Sequence, residues 1–193
     1  MHTNYKIILA SGSPRRQQFI KDMDLSRNFE IEIRLKEIEE VYPENLKAEE
    51  ITNYLAVLKA SAFEGALAEN EILITSDTIV WLDEKAVGKP KDYDDAFQIL
   101  KQLSNKTHEV ITSVCFKTIE KTETLFEVTK VTFTTLTDAA IHYYLEQYKP
   151  FDKAGAYGIQ DWIGLIGITK IEGSYTNVVG LPTEKVYRYL DAI

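Results

Sequence analysis

Two adjacent arginines stand where the sequence predicts the start of a helix. The apolar run Ile7 to Ala10 predicts a buried strand, followed by the small-residue turn Ser11-Gly12-Ser13-Pro14 and then by Arg15 and Arg16. Helix N-termini carry partial positive charge, so each arginine there should cost about 0.3 to 1 kcal/mol. With an anion bound, the backbone N–H groups and both guanidinium groups would converge on it. The stretch therefore indicates either an anion site or two arginines that point into solvent.

Asp77 is a second candidate, because it interrupts the apolar run "LITSDTIVWL". An ionisable group within such a strand is costly to bury unless it is paired, binds a metal or serves in a site. Its neighbours Ser76 and Thr78 leave a strand end or a bulge as the simpler interpretation.

Two carboxylates and two lysines complete the candidates. Glu39 and Glu40 offer the oxygen ligands that Mg²⁺ and Mn²⁺ prefer, although runs of charge are mostly solvated faces. Lys59 lies within a helical stripe that is apolar on both sides, where a lysine commonly extends its amine to water. Lys89 lies between Gly88 and Pro90, in a loop that could direct its ammonium group at a phosphate.

Composition excludes several classes of protein. The 193 residues suit one domain, residues 1–193, and the net charge of -8 argues against a protein that binds a nucleic-acid polymer. The single cysteine, Cys115, lies in a predicted strand and is expected to be a buried small hydrophobe. No stretch approaches the roughly 20 apolar residues that span a bilayer, so we expect no membrane partner and a cytoplasmic protein.

Strands and helices alternate along most of the chain, and the hairpins imply antiparallel pairs, so we expect a mixed α/β sheet. The stretches "DKAGAYGIQ" and "EGSYTNVVGLP" are rich in Gly and Tyr, which suits loops. The predicted strands are 5–10, 29–35, 72–82, a return strand ending at Gly88, 108–119 and 124–134. The predicted helices are 14–23, 48–69, 93–104 with Asp92 as its cap, one from Thr137 to before Pro150, and one after Pro182.

Five segments together resemble the Maf family of nucleoside triphosphate pyrophosphatases, also called septum formation inhibitor proteins. They are "LASGSPRR", "SDT", "GKP", "DKAGAYGIQ" and "GSYTNVVGLP", in this order, and the resemblance covers essentially the whole chain. It implies an α/β fold with an elongated mixed sheet and two lobes around a deep cleft, akin to the inosine triphosphate pyrophosphatases. It also implies hydrolysis of a nucleoside triphosphate to a monophosphate and pyrophosphate with Mg²⁺ or Mn²⁺, and a homodimer as one option for assembly.

The resemblance assigns roles to individual residues. It makes Asp77 the proton acceptor. The mechanism that we expect with it has Glu40, or Glu40 and Asp77, as the metal ligands, with Asp77 in one of its two roles only. It also has Arg16, Lys59 and Lys89 as the cations on the triphosphate, with Ser11 and Ser13 on phosphate oxygens. The subgroup that acts on dTTP and UTP has Arg, Thr and Gln at three positions, which Arg15, Thr78 and Gln160 match. Two alternatives stay open, namely a nucleotide-binding regulator of septum formation and the same reaction on methylated GTP.

Overall fold

The computed structural model describes residues 5–193, so residues 1–4 of the expected single domain lie outside the described residues. The strands are β1 Lys6–Leu9, β2 Glu30–Ile33, β3 Glu71–Leu82, β4 Lys85–Val87, β5 Thr107–Lys117, β6 Thr122–Phe133 and β7 Ile168–Glu172. The helices are α1 Pro14–Asp22, α2 Glu49–Ser61, α3 Tyr93–Leu103, α4 Asp138–Tyr148, α5 Trp162–Gly167, α6 Tyr175–Val179 and α7 Thr183–Asp191.

The strands form one mixed sheet with the order β2-β1-β3-β5-β6-β7, and β4 pairs with β3. β1 is parallel to β2 and β3, whereas β4 is antiparallel to β3 and β7 is antiparallel to β6. Parallel strands next to antiparallel pairs confirm the mixed α/β sheet that the sequence predicts. None of the helices in residues 5–193 is both long and apolar enough to cross a membrane.

The chain divides into two compact units. The first contains the chain up to Asp77 together with Thr112–Phe126 and Gly180–Ile193, and the second contains Thr78–Ile111 and Glu127–Val179. Each unit has its own buried apolar core. Ile7, Ile20, Ile74, Phe116 and Leu190 are among the core residues of the first unit. Leu100, Phe133, Ile141, Tyr144 and Ile163 are among those of the second.

Helix ends with local signals agree with the sequence. Pro14 is the first residue of α1, and the side chain of Asp92 accepts a hydrogen bond from the backbone N–H of Asp95 at 2.8 Å at the start of α3. Thr137 caps α4 in the same way, accepting from Ala140 N at 3.2 Å. These caps use residues three positions apart, so the sequence alone is enough to locate them.

The prediction of a helix over residues 48–69 is wrong at its C-terminal end. α2 ends at Ser61, and the chain then turns through Gly65, whose φ is +69°. Phe63 is nonetheless buried, packed beside Ala60 and Leu73. The apolar spacing continues past the helix because the turn also covers the core, and this made the helix look longer than it is.

The prediction of a loop over "EGSYTNVVGLP" is wrong in part, because α6 forms within it, and α5 and β7 form in the preceding segment, for which the sequence predicted no element. α5 contains Gly164 and Gly167, which are poor helix formers. A Cβ on Gly164 would lie 1.9 Å from the carbonyl oxygen of Ile159, and one on Gly167 would lie 2.9 Å from Leu136 Cδ2. The glycines allow this close packing, and tertiary contacts then override the weak helix propensity.

Candidate functional site

Two hydrogen bonds that involve side chains hold the turn before α1, and both of them are made to Ser11. Ser13 N donates to the Ser11 hydroxyl at 3.3 Å, and the Gln17 side-chain amide donates to the Ser11 carbonyl at 3.0 Å. Ser11 is buried, whereas Gly12 and Pro14 are exposed. The turn therefore presents the N-terminus of α1 in a defined conformation, as an anion site at a helix start requires.

Arg16 does not extend into solvent. Its Nε donates to the carbonyl of Gly180 at 2.8 Å, and its Nη1 donates to the carbonyl of Ser76 at 2.9 Å. Burial lowers the pKa of the Arg16 guanidinium, while the negative charge of Asp77 acts in the opposite direction and Arg15 adds to the lowering. An arginine stays charged under these conditions, so Arg16 places a fixed cation beside Ser76 and Asp77.

Asp77 lies inside β3, which runs without interruption from Glu71 to Leu82, so it is not at a strand end. The register with β1 reaches Ile74, and that with β4 begins at Val80. Asp77 lies between those two points, and its side chain is 9% exposed. A carboxylate at this depth needs a partner, and the structure supplies one.

Lys59 is that partner, and it contacts a second carboxylate as well. Its Nζ lies 2.6 Å from Asp77 Oδ1 and 3.2 Å from Glu40 Oε1. It also lies 3.4 Å from the Ser76 carbonyl, the same oxygen that Arg16 contacts. The interpretation of Lys59 as a lysine that extends to water is wrong, because its side chain is only 16% exposed and ends on Asp77.

The two proposed metal ligands fit a divalent cation in chemistry. Glu40 Oε1 and Asp77 Oδ1 both contact one cation, the ammonium group of Lys59. Within residues 5–193, no three His, Cys, Asp or Glu side chains gather as a metal-binding group. A cation at Glu40 and Asp77 would thus need further oxygen ligands, and Mg²⁺ sites of this kind use substrate phosphates and water for that purpose.

Three of the other predicted site residues lie in the second unit, whereas Arg15 is half-buried in α1 of the first unit. Thr78 follows Asp77 in β3 and is half-buried, whereas Lys89 and Gln160 are exposed. The N–H of Gly155 donates to the carbonyl of Gly88 at 3.0 Å, which joins the loop of Lys89 to the segment that ends at Gln160. The sequence predicted both loops, and the structure brings them into contact within this unit.

Two buried residues of the second unit were missed by the sequence interpretation. The Nε2 atom of His108 lies 2.7 Å from the Tyr157 hydroxyl, and the two rings meet edge to face with Phe133 nearby. Burial lowers the pKa of His108 to about 4 and raises that of Tyr157. His108 opens a predicted strand without a partner nearby in sequence, so no local signal marked it.

Sequence comparison shows relatives along the whole described chain. The profile of the Maf-like protein family matches residues 6–193. A dTTP/UTP pyrophosphatase of Flavobacterium psychrophilum is 70% identical over 187 residues, covering 97% of this chain and 94% of the relative. Proteins of the same name from Flavobacterium johnsoniae and Christiangramia forsetii are 67% and 55% identical, and they cover 98% and 97% of this chain and 95% and 93% of the relatives.

A more distant likeness comes from a solved structure. A nucleoside-triphosphatase, or dITP/XTP pyrophosphatase, of Mycobacterium abscessus is 16% identical, with a TM-score of 0.49, and the match covers 97% of this chain and 96% of that one. A likeness at that level supports no conclusion about this chain.

Proposed function

Because this chain belongs to the Maf-like protein family, we propose that it hydrolyses dTTP and UTP to the monophosphate and pyrophosphate. Relatives that are 55 to 70% identical over nearly the full length carry the name dTTP/UTP pyrophosphatase. The structural observation that supports the reaction is the contact of Lys59 with both Asp77 and Glu40, next to the guanidinium of Arg16. Such a group of fixed charges can stabilise the transition state of phosphoryl transfer.

In this proposal, the phosphates of the substrate are bound by three cationic side chains and by the turn before α1. Arg16 and Lys59 supply positive charge close to Asp77, and Ser11 and Ser13 supply hydroxyl groups beside the helix start. Lys89 is exposed in its loop and contributes a third cation in this proposal. Two N–H donors of Arg16 are bonded to carbonyl groups, so Arg16 acts in this proposal as a positive charge in a fixed position.

Asp77 takes the proton in the proposed reaction. The oxygen of a water molecule forms a bond to the α phosphorus, and the bond from this phosphorus to the bridging oxygen breaks. The electron pair of that bond leaves with pyrophosphate, and the proton of the water passes to the Asp77 carboxylate. Lys59 holds one oxygen of that carboxylate at 2.6 Å, which orients the group before the reaction.

A divalent cation would be held by Glu40 and, in part, by Asp77. When bound, it supplies charge neutralisation at the phosphate oxygens. An aspartate bonded directly to a metal is a poor base, so in the step in which Asp77 takes the proton the cation would be held by Glu40 without it.

Base selection is assigned to Arg15, Thr78 and Gln160. The side chain of Gln160 carries both a donor and an acceptor, as the imide edge of uracil or thymine requires. Gln160 is exposed directly after the buried run Gly155–Ile159, so its amide is available to a ligand while its backbone is fixed. A cytoplasmic location and a homodimer stay predictions from the sequence.

The decisive experiment measures pyrophosphate release from dTTP, UTP, CTP, GTP and methylated GTP with Mn²⁺. We expect the highest kcat/KM for dTTP and UTP, and a preference for a purine would contradict the proposed substrates. In water enriched in ¹⁸O, the label should enter the monophosphate, because attack is at the α phosphorus.

Asp77→Asn separates an enzyme from a nucleotide-binding regulator. The variant should bind dTTP but release pyrophosphate at least about 100-fold more slowly, the usual contribution of a general base. Asp83→Asn is the matched control, because Asp83 lies in an exposed turn and pairs with Lys106. Wild-type protein that binds dTTP without turnover would favour the regulator.

A further inference from the structure

The segment Gly155–Asp161 presents one exposed side chain from a buried loop. Residues 155 to 159 are buried, Gln160 is exposed and Asp161 is half-buried. The loop begins at Gly155, whose φ is +71° and where a Cβ would lie 2.7 Å from Val80 Cγ2. The position of Gln160 therefore depends on what holds the backbone on either side of it.

One phenol hydroxyl holds both sides. The Tyr144 hydroxyl accepts a hydrogen bond from the backbone N–H of Gly158 at 3.0 Å and donates one to Asp161 Oδ2 at 2.7 Å. Gly158 lies two residues before Gln160, and Asp161 lies one residue after it. Tyr144 comes from α4 and its side chain is completely buried, so its hydroxyl has a fixed origin.

The loop is tight around this hydroxyl. Asp161 N donates to the Gly158 carbonyl at 3.0 Å, which closes a turn around Gln160. A Cβ on Gly158 would lie 2.5 Å from Asp161 Oδ2 and 3.0 Å from Gln160 Nε2. The Gln160 amide thus lies next to the Gly158 backbone that Tyr144 holds, and a shift of that backbone would move it.

Orientation of this amide decides which pyrimidine it can recognise. Uracil and thymine present an N–H donor beside a carbonyl acceptor, whereas cytosine presents the reverse pattern on the same edge. A glutamine that rotates its amide by half a turn exchanges its own donor and acceptor and so matches cytosine. Discrimination against cytosine nucleotides therefore requires a glutamine that is held in place, because a mismatched polar edge costs binding only if the site cannot adapt.

We propose that Tyr144 is a positioning residue for nucleotide specificity, which fixes Gln160 by binding Gly158 and Asp161 on its two sides. The inference rests on the proposed function, because it assumes that Gln160 contacts the base. Tyr144 touches no reacting atom in this proposal. Its effect is on which base is accepted, and not on the hydrolysis step.

The test removes the hydroxyl and keeps the ring. For Tyr144→Phe, we expect the ratio of kcat/KM for dTTP to that for dCTP to fall about tenfold, through a higher KM for dTTP. The kcat for dTTP should change less than about twofold, because the charges around Asp77 are untouched. Asp161→Ala should shift the ratio in the same direction, whereas Asp161→Asn keeps an acceptor for the hydroxyl and should retain most of the discrimination.

Tyr148→Phe is the matched control, since Tyr148 belongs to the same helix and stacks on Tyr144 but is 40% exposed. It should leave the ratio unchanged. If Tyr144→Phe does not fold, Asp161→Ala tests the positioning role in its place, because Asp161 is only half-buried and its replacement disturbs the core less.

Two results would overturn the positioning role. One is an unchanged dTTP to dCTP ratio in folded Tyr144→Phe and Asp161→Ala. The other is an equal loss of kcat/KM for every nucleotide together with a lower melting temperature, which would make Tyr144 a purely structural residue. Wild-type protein that releases no pyrophosphate from dTTP or UTP would instead refute the proposed function, and the specificity role with it.

Discussion

The ammonium group of Lys59 lies 2.6 Å from a carboxylate oxygen of Asp77, and both side chains are largely buried. Lys59 comes from α2 and Asp77 from β3, so the pair joins two elements of the first unit. A buried ion pair of this kind is weak support for stability as a whole, but the loss of one partner leaves a buried charge without compensation.

Lys59→Met should therefore lower the free energy of unfolding by about 3 kcal/mol, because the buried Asp77 carboxylate would lose its ion-pair partner. Adding Asp77→Asn to this variant should restore much of that loss, since the remaining charge is removed. Neither protein should release pyrophosphate from dTTP at the wild-type rate. Urea unfolding measures the stability of both variants. A double variant that is as unstable as Lys59→Met would contradict the explanation that the unpaired Asp77 carboxylate causes the loss.

Arg16→Lys tests the role of the guanidinium geometry. Lysine keeps the charge but cannot reach the Gly180 and Ser76 carbonyls with two fixed donors, so we expect a loss of about 2 kcal/mol in stability. The activity should fall as well, because the cation would no longer be held beside Asp77. Arg15→Lys is the comparison, and an equal effect of both changes would argue against the special role of Arg16.

His108 should make stability depend on pH. Burial lowers its pKa to about 4 in the folded protein, whereas an unfolded histidine titrates near pH 6.5. Between these values the unfolded chain binds more protons, so stability should decrease as the pH falls from 6.5 to 4, by about 3 kcal/mol from this group.

A comparison of variants separates the contribution of His108 to the pH dependence of stability from that of the carboxylates. His108→Gln should show a shallower loss of unfolding free energy between pH 6.5 and pH 4 than the wild type. His142→Gln, a change at an exposed histidine of α4, should keep the wild-type slope. Identical slopes in all three proteins would rule out His108 as the source.

Gly164→Ala should destabilise the second unit. The new methyl group would lie 1.9 Å from the backbone carbonyl oxygen of Ile159, a group that cannot move away without disturbing the loop before Gln160. We expect a loss of at least about 2 kcal/mol by thermal unfolding. Gly88→Ala is the control for stability, because a Cβ there meets nothing within 4 Å.

Glu40→Gln should raise the Mn²⁺ concentration needed for half-maximal activity by about tenfold, in line with the loss of a metal-ligating carboxylate. Glu39→Gln is the matched control, since Glu39 is its exposed neighbour in sequence whereas Glu40 contacts Lys59. Removal of divalent cations with EDTA should abolish the activity of all three proteins. Equal metal dependence of the two variants would count against Glu40 as a ligand.

Local features of the fold were predictable because they depend on residues near in sequence. The start of α1 at Pro14 and the caps Asp92 and Thr137 follow from side chains within three positions. The turn at Asp83 and Glu84 between β3 and β4 follows from polar residues between apolar strands, and both have positive φ. Cys115 was predicted to be buried in a strand, and it is completely buried in β5.

Features that depend on distant contacts were not predictable from local patterns. α5 forms despite two glycines because the glycines pack against Ile159, Phe133 and Leu136. β7 has a mostly exposed side-chain pattern, and its strand conformation comes from pairing with β6. The apolar spacing of α2 continues past its end at Ser61 to the buried Phe63, so the spacing does not show where the helix stops and the turn through Gly65 begins.

The sequence by itself determined the family, the set of charged residues and the strand that carries Asp77, because motifs and periodicity are local properties. Only the tertiary structure decided how these charges are paired. Arg16 bonds to carbonyl groups 60 and 164 residues away, and Lys59 reaches Asp77 across 18 residues of chain. Which cation pairs with which oxygen is a consequence of packing, because burial removes the water that would otherwise satisfy each charge separately.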